Sequence, residues 1–343
     1  MNSLPFDLEE DRADLFQKRI DECAIRGGDY AYYYSQTEAD RSLIFKFQEL
    51  ANYHQLIYKF RQLLEGRAFF PDANRKSLHH ALRNDGGSPT IRIQTEFYRG
   101  ERLNCIEFAS KVRNGSARSF CGERFASLVQ IGFGGSSASS ELIFEALSGC
   151  CKPIGGLSLN VIFANGADED HFNRILDGIA LDKTLFVFDS RGGFDCNAAQ
   201  LRERIASVIL KYRPDVDEAS LKNNFVLISP VSKAAEVSAY ATSFFIDENI
   251  SETYSSFSAG SLFPSAVVFG QDVVNTLLEG AKSMDNDSLN GNILENPAMF
   301  AALYAFFENH QKDKNMAIIV PFAQELSLLA PLVQHLMMNG NCR

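Results

Sequence analysis

The sequence predicts an α/β protein. A five-stranded, parallel, doubly wound sheet is expected over residues 116–285, with a mostly helical region over 1–115 before it. Residues 286–343 read as the opening of an incomplete second α/β domain. Three observations lead there. Near-continuous apolar runs at 128–131, 158–163, 184–188, 225–229 and 243–246 have the character of strands covered on both faces. Helical stretches separate most of these runs, at the roughly 20–40-residue spacing of βαβ units. The first run leads straight into a glycine-rich turn, and a helical stretch follows at once.

The elements follow in chain order. Residues 1–12 carry Asp7, Glu9, Glu10 and Asp11 and no apolar core, so they read as a solvated face and not a secretory signal. An aromatic run over 30–34 predicts a short strand. Over 41–64, Leu43, Phe47, Leu50, Ile57, Phe60 and Leu64 recur near the helical period, predicting one helix with a buried face. Residues 78–83 also read as helical. Pro264 lies inside the apolar stretch 255–278, which is therefore expected as two helices or one kinked helix. Beyond a polar loop at 283–287, a helix is expected over 297–310, a strand over 316–320 and a helix over 324–338.

Composition narrows the function classes. With 343 residues, 45% of them apolar and 22% charged, the chain has the size and balance of one large or two medium globular domains. A net charge of −10 argues against a nucleic-acid partner, whose phosphates call for clustered Lys and Arg. A small anion is still compatible, because a local pocket decides its binding. The seven cysteines include no C-x-x-C spacing, which reads as reduced thiols and a cytoplasmic location. Cys150 and Cys151 are expected to be two buried small apolar residues. No run of about 18 apolar residues is present, so no membrane span is expected.

No metal or cofactor is predicted. His79 and His80 are neighbours that would point about 100° apart on a helix. His54, His171, His310 and His335 lack an i, i+4 histidine partner or a cysteine cluster. A serine-hydrolase elbow is also missing. Ser256-Phe257-Ser258-Ala259-Gly260 comes nearest, with serine where the first glycine belongs.

The glycine-rich turn is the strongest local signal. Leu128-Val129-Gln130-Ile131 runs into Gly132-Phe133-Gly134-Gly135-Ser136-Ser137. Glycines permit a sharp turn and close approach, while the next helix presents free N–H groups and its positive end. Phosphate binding is the functional reading, and a plain tight βα turn is the alternative. The turn lacks the lysine of a Walker loop, and Ser137 stands where a dinucleotide fingerprint has its third glycine. A second turn, Asp189-Ser190-Arg191-Gly192-Gly193, follows the third apolar run. It reads equally as a ligand contact, with Ser190 and Arg191 as donors, or as an ordinary connection. Asp189 and Asp195 would oppose an anion there.

Longer stretches resemble the glucose-6-phosphate isomerase family of the sugar-isomerase-domain superfamily. Asn74-Arg75 with Leu78-His79-His80-Ala81-Leu82-Arg83 is similar to the family's N-R-x-x-L-H-x-A-L-R run. Ile131 to Ser136 resembles I-G-I-G-G-S, with Phe133 in place of the second isoleucine. Thr184-Leu185-Phe186 followed by Ser190-Arg191 sits where the family has T-L-F-x-x-x-S-K-T. Leu278-Glu279-Gly280-Ala281, Met284-Asp285, Asn296-Pro297 and Val320-Pro321-Phe322 match later landmarks in order.

The resemblance implies a fold of two sugar-isomerase domains, a dimer, and cofactor-free interconversion of glucose 6-phosphate and fructose 6-phosphate in glycolysis and gluconeogenesis. It also implies a phosphosugar site built from Gly134, Gly135, Ser136, Ser190 and Arg191. Several family positions are degenerate. The family's G-G-R-[FY]-S reads Ser251-Glu252-Thr253-Tyr254-Ser255, so Thr253 replaces an arginine that polarises the substrate. Both threonines of the phosphate loop are replaced, leaving Gly192 and Asp195. The family's glutamate, histidine and lysine regions are expected beyond residue 343. An enediol mechanism needs a positioned base, worth roughly 10²–10⁴-fold. It also needs a fixed positive group where oxyanion charge develops, worth roughly 3–4 kcal/mol. The expectation is therefore a phosphosugar-binding but catalytically impaired relative, with no catalytic residue assigned. Two alternatives stay open: a non-enzymatic scaffold on this fold, and an active isomerase completed by a second chain.

Overall fold

The computed structural model describes residues 13–27, 30–70, 75–84, 86, 88–132, 135–165, 168–190, 195–231 and 237–340. The chain forms two compact units, one comprising Met1–Glu65 with Glu279–Ala317, the other Gly66–Leu278 with Ile318–Arg343.

The first unit opens with helix α1 (Ala13–Glu22) and a two-stranded antiparallel ribbon of β1 (Ala24–Gly27) and β2 (Tyr30–Tyr33). The expected aromatic strand is thus present. The single helix expected over 41–64 is two, α2 (Arg41–Tyr53) and α3 (Leu56–Leu64). They part at Gln55, which adopts the left-handed conformation with φ 53°. The Asp40 carboxylate accepts the Leu43 N–H at 2.7 Å and so satisfies a free donor at the start of α2. Further on, α8 (Ala259–Asp287) extends into this unit and α9 (Pro297–Lys312) follows it. Asn296 caps α9 through the Met299 N–H at 2.9 Å, and Pro297 occupies the first turn, where its missing N–H costs nothing. Phe300, fully buried, packs its ring 4.7 Å from Tyr34 and at right angles to Phe47.

The second unit holds the short pair β3 (Phe69–Phe70) and β4 (Arg75–Lys76), helix α4 (Arg92–Asn114) and the main sheet. The sheet consists of β5 (Ser127–Gly132), β6 (Asn160–Asn165), β7 (Thr184–Asp189), β8 (Phe225–Pro230) and β9 (Thr242–Ile246). Its order is β6-β5-β7-β8-β9, and every pairing is parallel. Its connecting helices include α5 (Gly135–Cys150), α6 (Glu169–Asp177) and α7 (Asp195–Tyr212).

Alternation along the strands divides the core into two layers. Leu128, Leu185, Val187, Val226 and Ile228 pack with Cys105, Ala109 and Val112 of α4 and with Leu262, Phe263 and Val267 of α8. Val129, Ile131, Phe186, Phe188 and Leu227 pack on the opposite face with Phe172 and Leu176 of α6 and with Ile205 and Ile209 of α7. All five apolar runs are strands, and the doubly wound sheet is present as expected.

Three further local expectations are corrected. Residues 313–321 form neither helix nor strand, so the strand over 316–320 is not formed. The helix expected over 324–338 is a 3-10 turn at Gln324–Leu326, then α10 (Leu329–His335), then a wide turn at Leu336–Gly340. The kink expected within 255–278 is present in α8, where it falls at Gly270 (φ 84°, ψ −179°) and not at Pro264. Proline removes a single backbone bond there, whereas only glycine adopts the dihedrals at 270 without strain. Finally, Cys150 is exposed and Cys151 half-buried, contrary to a reading of both as core residues.

Candidate functional site

Strand ends in a parallel sheet bring unrelated sequence segments side by side. Register places Gly132 opposite Asn165 on one neighbour and opposite Asp189 on the other. These three residues close β5, β6 and β7 at the carboxyl edge, where ligands of open α/β sheets collect. β5 ends at Gly132 and α5 begins at Gly135. Gly132 sits in a tight space: a Cβ built there would lie 3.1 Å from the Cβ atoms of both Asp189 and Ser137.

Polar side chains tie this edge together. The buried Ser137 hydroxyl donates to Asn165 Oδ1, and Asn165 Nδ2 donates to Glu141 Oε2. Burial pushes the Glu141 carboxyl above its ordinary range, the Asn165 hydrogen bond opposes that shift, and Glu145 adds to it. Sequence reasoning did not find this relay. Its signal was the i, i+4 spacing of Ser137 and Glu141, together with a polar residue closing β6.

The two sequence-predicted phosphate loops meet the structure unevenly. Gly135 opens α5 and Ser136 lies in its first turn, whose backbone N–H groups have no preceding helical carbonyls to receive them. Ser190 is buried directly after β7, and both its N–H (2.9 Å) and its hydroxyl (3.0 Å) donate to the Ile228 carbonyl. Asp195 begins α7. Gly134, Arg191 and Gly192 lie outside the described residues, as do the side chains of Ser136 and Asp195.

Thr253, expected at a family arginine position, is buried in a 3-10 turn, Glu252–Tyr254. Beside it, the ring of Tyr254 stacks on His79 with centroids 5.0 Å apart. His79 belongs to a 3-10 turn, His79–Arg83, and not to an α-helix, and its Nδ1 lies 3.2 Å from Ser77 Oγ. Burial lowers the His79 pKa to about 3, with the charges of Arg83 and His80 adding to the effect, so the ring is neutral near pH 7. The Arg83 guanidinium sits 5.6 Å over the Phe257 ring. The turn of His79–Arg83 and the segment around Tyr254 and Phe257 are therefore packed together, although some 170 residues separate them in sequence.

A serine-rich path links this segment to the sheet. Ser140 Oγ lies 3.0 Å from Gln130 Oε1 and 2.9 Å from the Ser261 carbonyl. Ser261 Oγ donates to the Ser255 carbonyl at 3.1 Å, and Ser255 Oγ to the Glu252 carbonyl at 2.6 Å. A separate open groove of about 760 Å³ lies between α7 and residues 217–222, by the amino end of β8 and away from the carboxyl edge. Among the described residues no three acidic, histidine or cysteine side chains gather as a metal site, and no helix is long and apolar enough to cross a membrane.

Comparisons with known proteins agree with this architecture. The family model described as Phosphoglucose isomerase matches residues 33–343. A glucose-6-phosphate isomerase from Borreliella afzelii (strain PKo) is 27% identical over 334 residues, covering 95% of this chain and 62% of the relative. The glucose-6-phosphate isomerase of Treponema denticola is 30% identical over 339 residues, covering 96% of this chain and 63% of the relative. A crystal structure of a glucose-6-phosphate isomerase from Chlamydia trachomatis superposes with a TM-score of 0.84 at 21% identity, covering 96% of this chain and 62% of that one. The chain thus spans just over three-fifths of the length of the relatives it matches. Matched along nine-tenths of its length, it belongs to the phosphoglucose isomerase family.

Proposed function

We propose that this chain binds a phosphosugar at the carboxyl edge of its parallel sheet and is impaired in aldose–ketose isomerisation as it stands. The observation that carries the reading is the start of α5 at Gly135, directly behind the space-restricted Gly132 and flanked by two further strand ends. A helix start so placed offers backbone donors and a positive end to a dianion. Gly134, Gly135 and Ser136 form the cradle in this reading, and Ser190 and Arg191 form its second arm. Ser190 contributes only by turning its proton away from Ile228, so the main-chain amides carry most of the affinity.

Impairment rests on Thr253. A buried neutral hydroxyl occupies the family's arginine position, with the Glu252 carboxylate beside it in the chain. Neither supplies positive charge where an enediolate would develop. No cofactor, metal or nucleic acid enters the reading, and a cytoplasmic location accords with the free thiols of the described cysteines. Calorimetric titration of the full chain with glucose 6-phosphate and fructose 6-phosphate tests it, alongside a coupled isomerase assay. Binding at high micromolar to millimolar concentration without turnover is expected. Turnover that tracks with the pure protein would overturn the impairment, and no binding up to millimolar ligand would leave the scaffold alternative.

One observation favours a second reading, an isomerase completed by another chain. Ile318, Val320 and Phe322 are 79%, 63% and 101% exposed in a segment with the composition of a strand. Such a segment can pair with a sheet supplied from elsewhere. Co-purification with a polypeptide bearing the family's glutamate motif, together with restored turnover, distinguishes this reading from the first.

A further inference from the structure

Cys150 and Cys151 are neighbours in sequence whose sulfurs also face each other. Consecutive residues within a helix diverge by about 100°. Here α5 ends at Cys150, and the chain leaves the helix so that the two Sγ atoms stand 3.6 Å apart. Cys150 is exposed and Cys151 half-buried. Cys150 Sγ leans back on the carbonyls of Ala146 (3.5 Å) and Leu147 (3.6 Å), while the Cys151 N–H donates to the Leu147 carbonyl at 2.7 Å. Both thiols are thus held on one side of the helix end and open to solvent.

The separation suits one bridging atom better than a direct bond. A disulfide needs sulfurs about 2.05 Å apart and usually a Cα separation of about 4.4–6.8 Å. Residues joined by a trans peptide have Cα atoms only about 3.8 Å apart, so direct closure is strained. A single atom bridging both sulfurs with bonds of ~2.3 Å, the length of a zinc–thiolate bond, would subtend about 100° across the observed gap. That is the angle of a pyramidal or tetrahedral centre. A linear two-coordinate ion would need the sulfurs about 4.6 Å apart by the same bond length.

We propose that Cys150 and Cys151 form a bidentate dithiol site for trivalent arsenicals, at the opposite end of α5 from the phosphosugar cradle. With phenylarsine oxide in its hydrated form, two As–O bonds break and two As–S bonds form. Each thiol proton leaves with a hydroxyl as water, and arsenic stays trivalent throughout. A divalent ion would instead require two thiolates. Burial and the neighbouring Cys150 sulfur both hold the Cys151 thiol above its ordinary range, which favours condensation over ion binding at neutral pH.

The test uses the full chain, reduced and treated with phenylarsine oxide, then challenged with excess 2-mercaptoethanol and read by intact mass. One arsenical should survive the monothiol and leave with 2,3-dimercaptopropanol. Cys150→Ser and Cys151→Ser should each lower its retention at least tenfold, with thermal midpoints near the parent's. Cys23→Ser should retain it. Loss of the adduct from the parent under monothiol, or equal retention by the double variant, would overturn the proposal.

Discussion

Gly132 and Asp189 face each other across adjacent parallel strands, so close that a single added carbon on Gly132 would stand 3.1 Å from the Asp189 Cβ. The same carbon would meet Ser137 Cβ at 3.1 Å. Both neighbours are anchored at their backbones, so neither yields by rotating a side chain. Gly132→Ala is therefore expected to destabilise the sheet-bearing unit by about 1–3 kcal/mol, as overpacking does. It should also weaken phosphosugar binding by displacing the first turn of α5. Urea denaturation and calorimetric titration measure the two effects; an unchanged midpoint would show that the contact relaxes freely.

The Ser137–Asn165–Glu141 relay makes a second expectation. Asn165→Ala removes the acceptor of a buried hydroxyl and the donor that restrains Glu141. A buried polar group left unsatisfied costs about 1–3 kcal/mol. Chemical denaturation should register a loss of that size, and Glu141 should titrate at still higher pH when followed by carboxyl NMR.

His79 gives a pH dependence of defined sign. Its folded pKa of about 3 lies below the unfolded value, so the unfolded chain binds more protons between them. Its contribution to stability is complete above about pH 6.5 and is lost as pH falls toward 3, with a limiting slope of about 1.4 kcal/mol per pH unit. Arg83 and His80 are the charges that reinforce the shift. Urea midpoints compared at pH 7.5, 6 and 5 should fall more steeply for the parent than for His79→Gln. Parallel profiles would count against a buried neutral ring.

Placing an arginine at 253 is not expected to confer isomerase turnover. Thr253 is 3% exposed, and a guanidinium placed there must find a counter-charge or distort the turn. Thr253→Arg is expected to cost about 3–5 kcal/mol and to give no turnover in the coupled assay. A stable, active variant would mean that the neighbouring segment can open.

Gly270 is the point at which α8 departs from helical dihedrals, with φ 84° and ψ −179°. That region is essentially closed to residues with a Cβ, which cost about 1–3 kcal/mol there. The added carbon would also lie 2.2 Å from the Ile154 Cδ1 atom, which can move aside. Gly270→Ala should lower the thermal midpoint accordingly. No loss would place the break elsewhere.

The strands were legible because buried parallel strands carry unbroken apolar runs, as Leu185 to Phe188 and Phe225 to Ile228 do. The same property misled at 316–320, where composition shows only that a segment can pair, while pairing itself depends on what lies beside it. The division of α2 from α3 left no punctuation either, since Gln55 takes a left-handed conformation usually reserved for glycine or asparagine. At the candidate site, the glycine turn was readable from spelling. The Asn165 relay and the His79–Tyr254 stack were not, because each joins residues that only strand register or tertiary packing brings together.

The strand order carries a kinetic consequence. β5 pairs with β7 through Ser127 and Thr184, while the intervening β6 is carried out to the sheet margin. Joining β5 to β7 closes a longer loop than any other ladder of the sheet, at an entropy that grows as (3/2)RT ln n. Completion of this sheet is therefore expected to wait on a long-range encounter, with nascent β5 able to pair on its β6 side only until β7 emerges from synthesis.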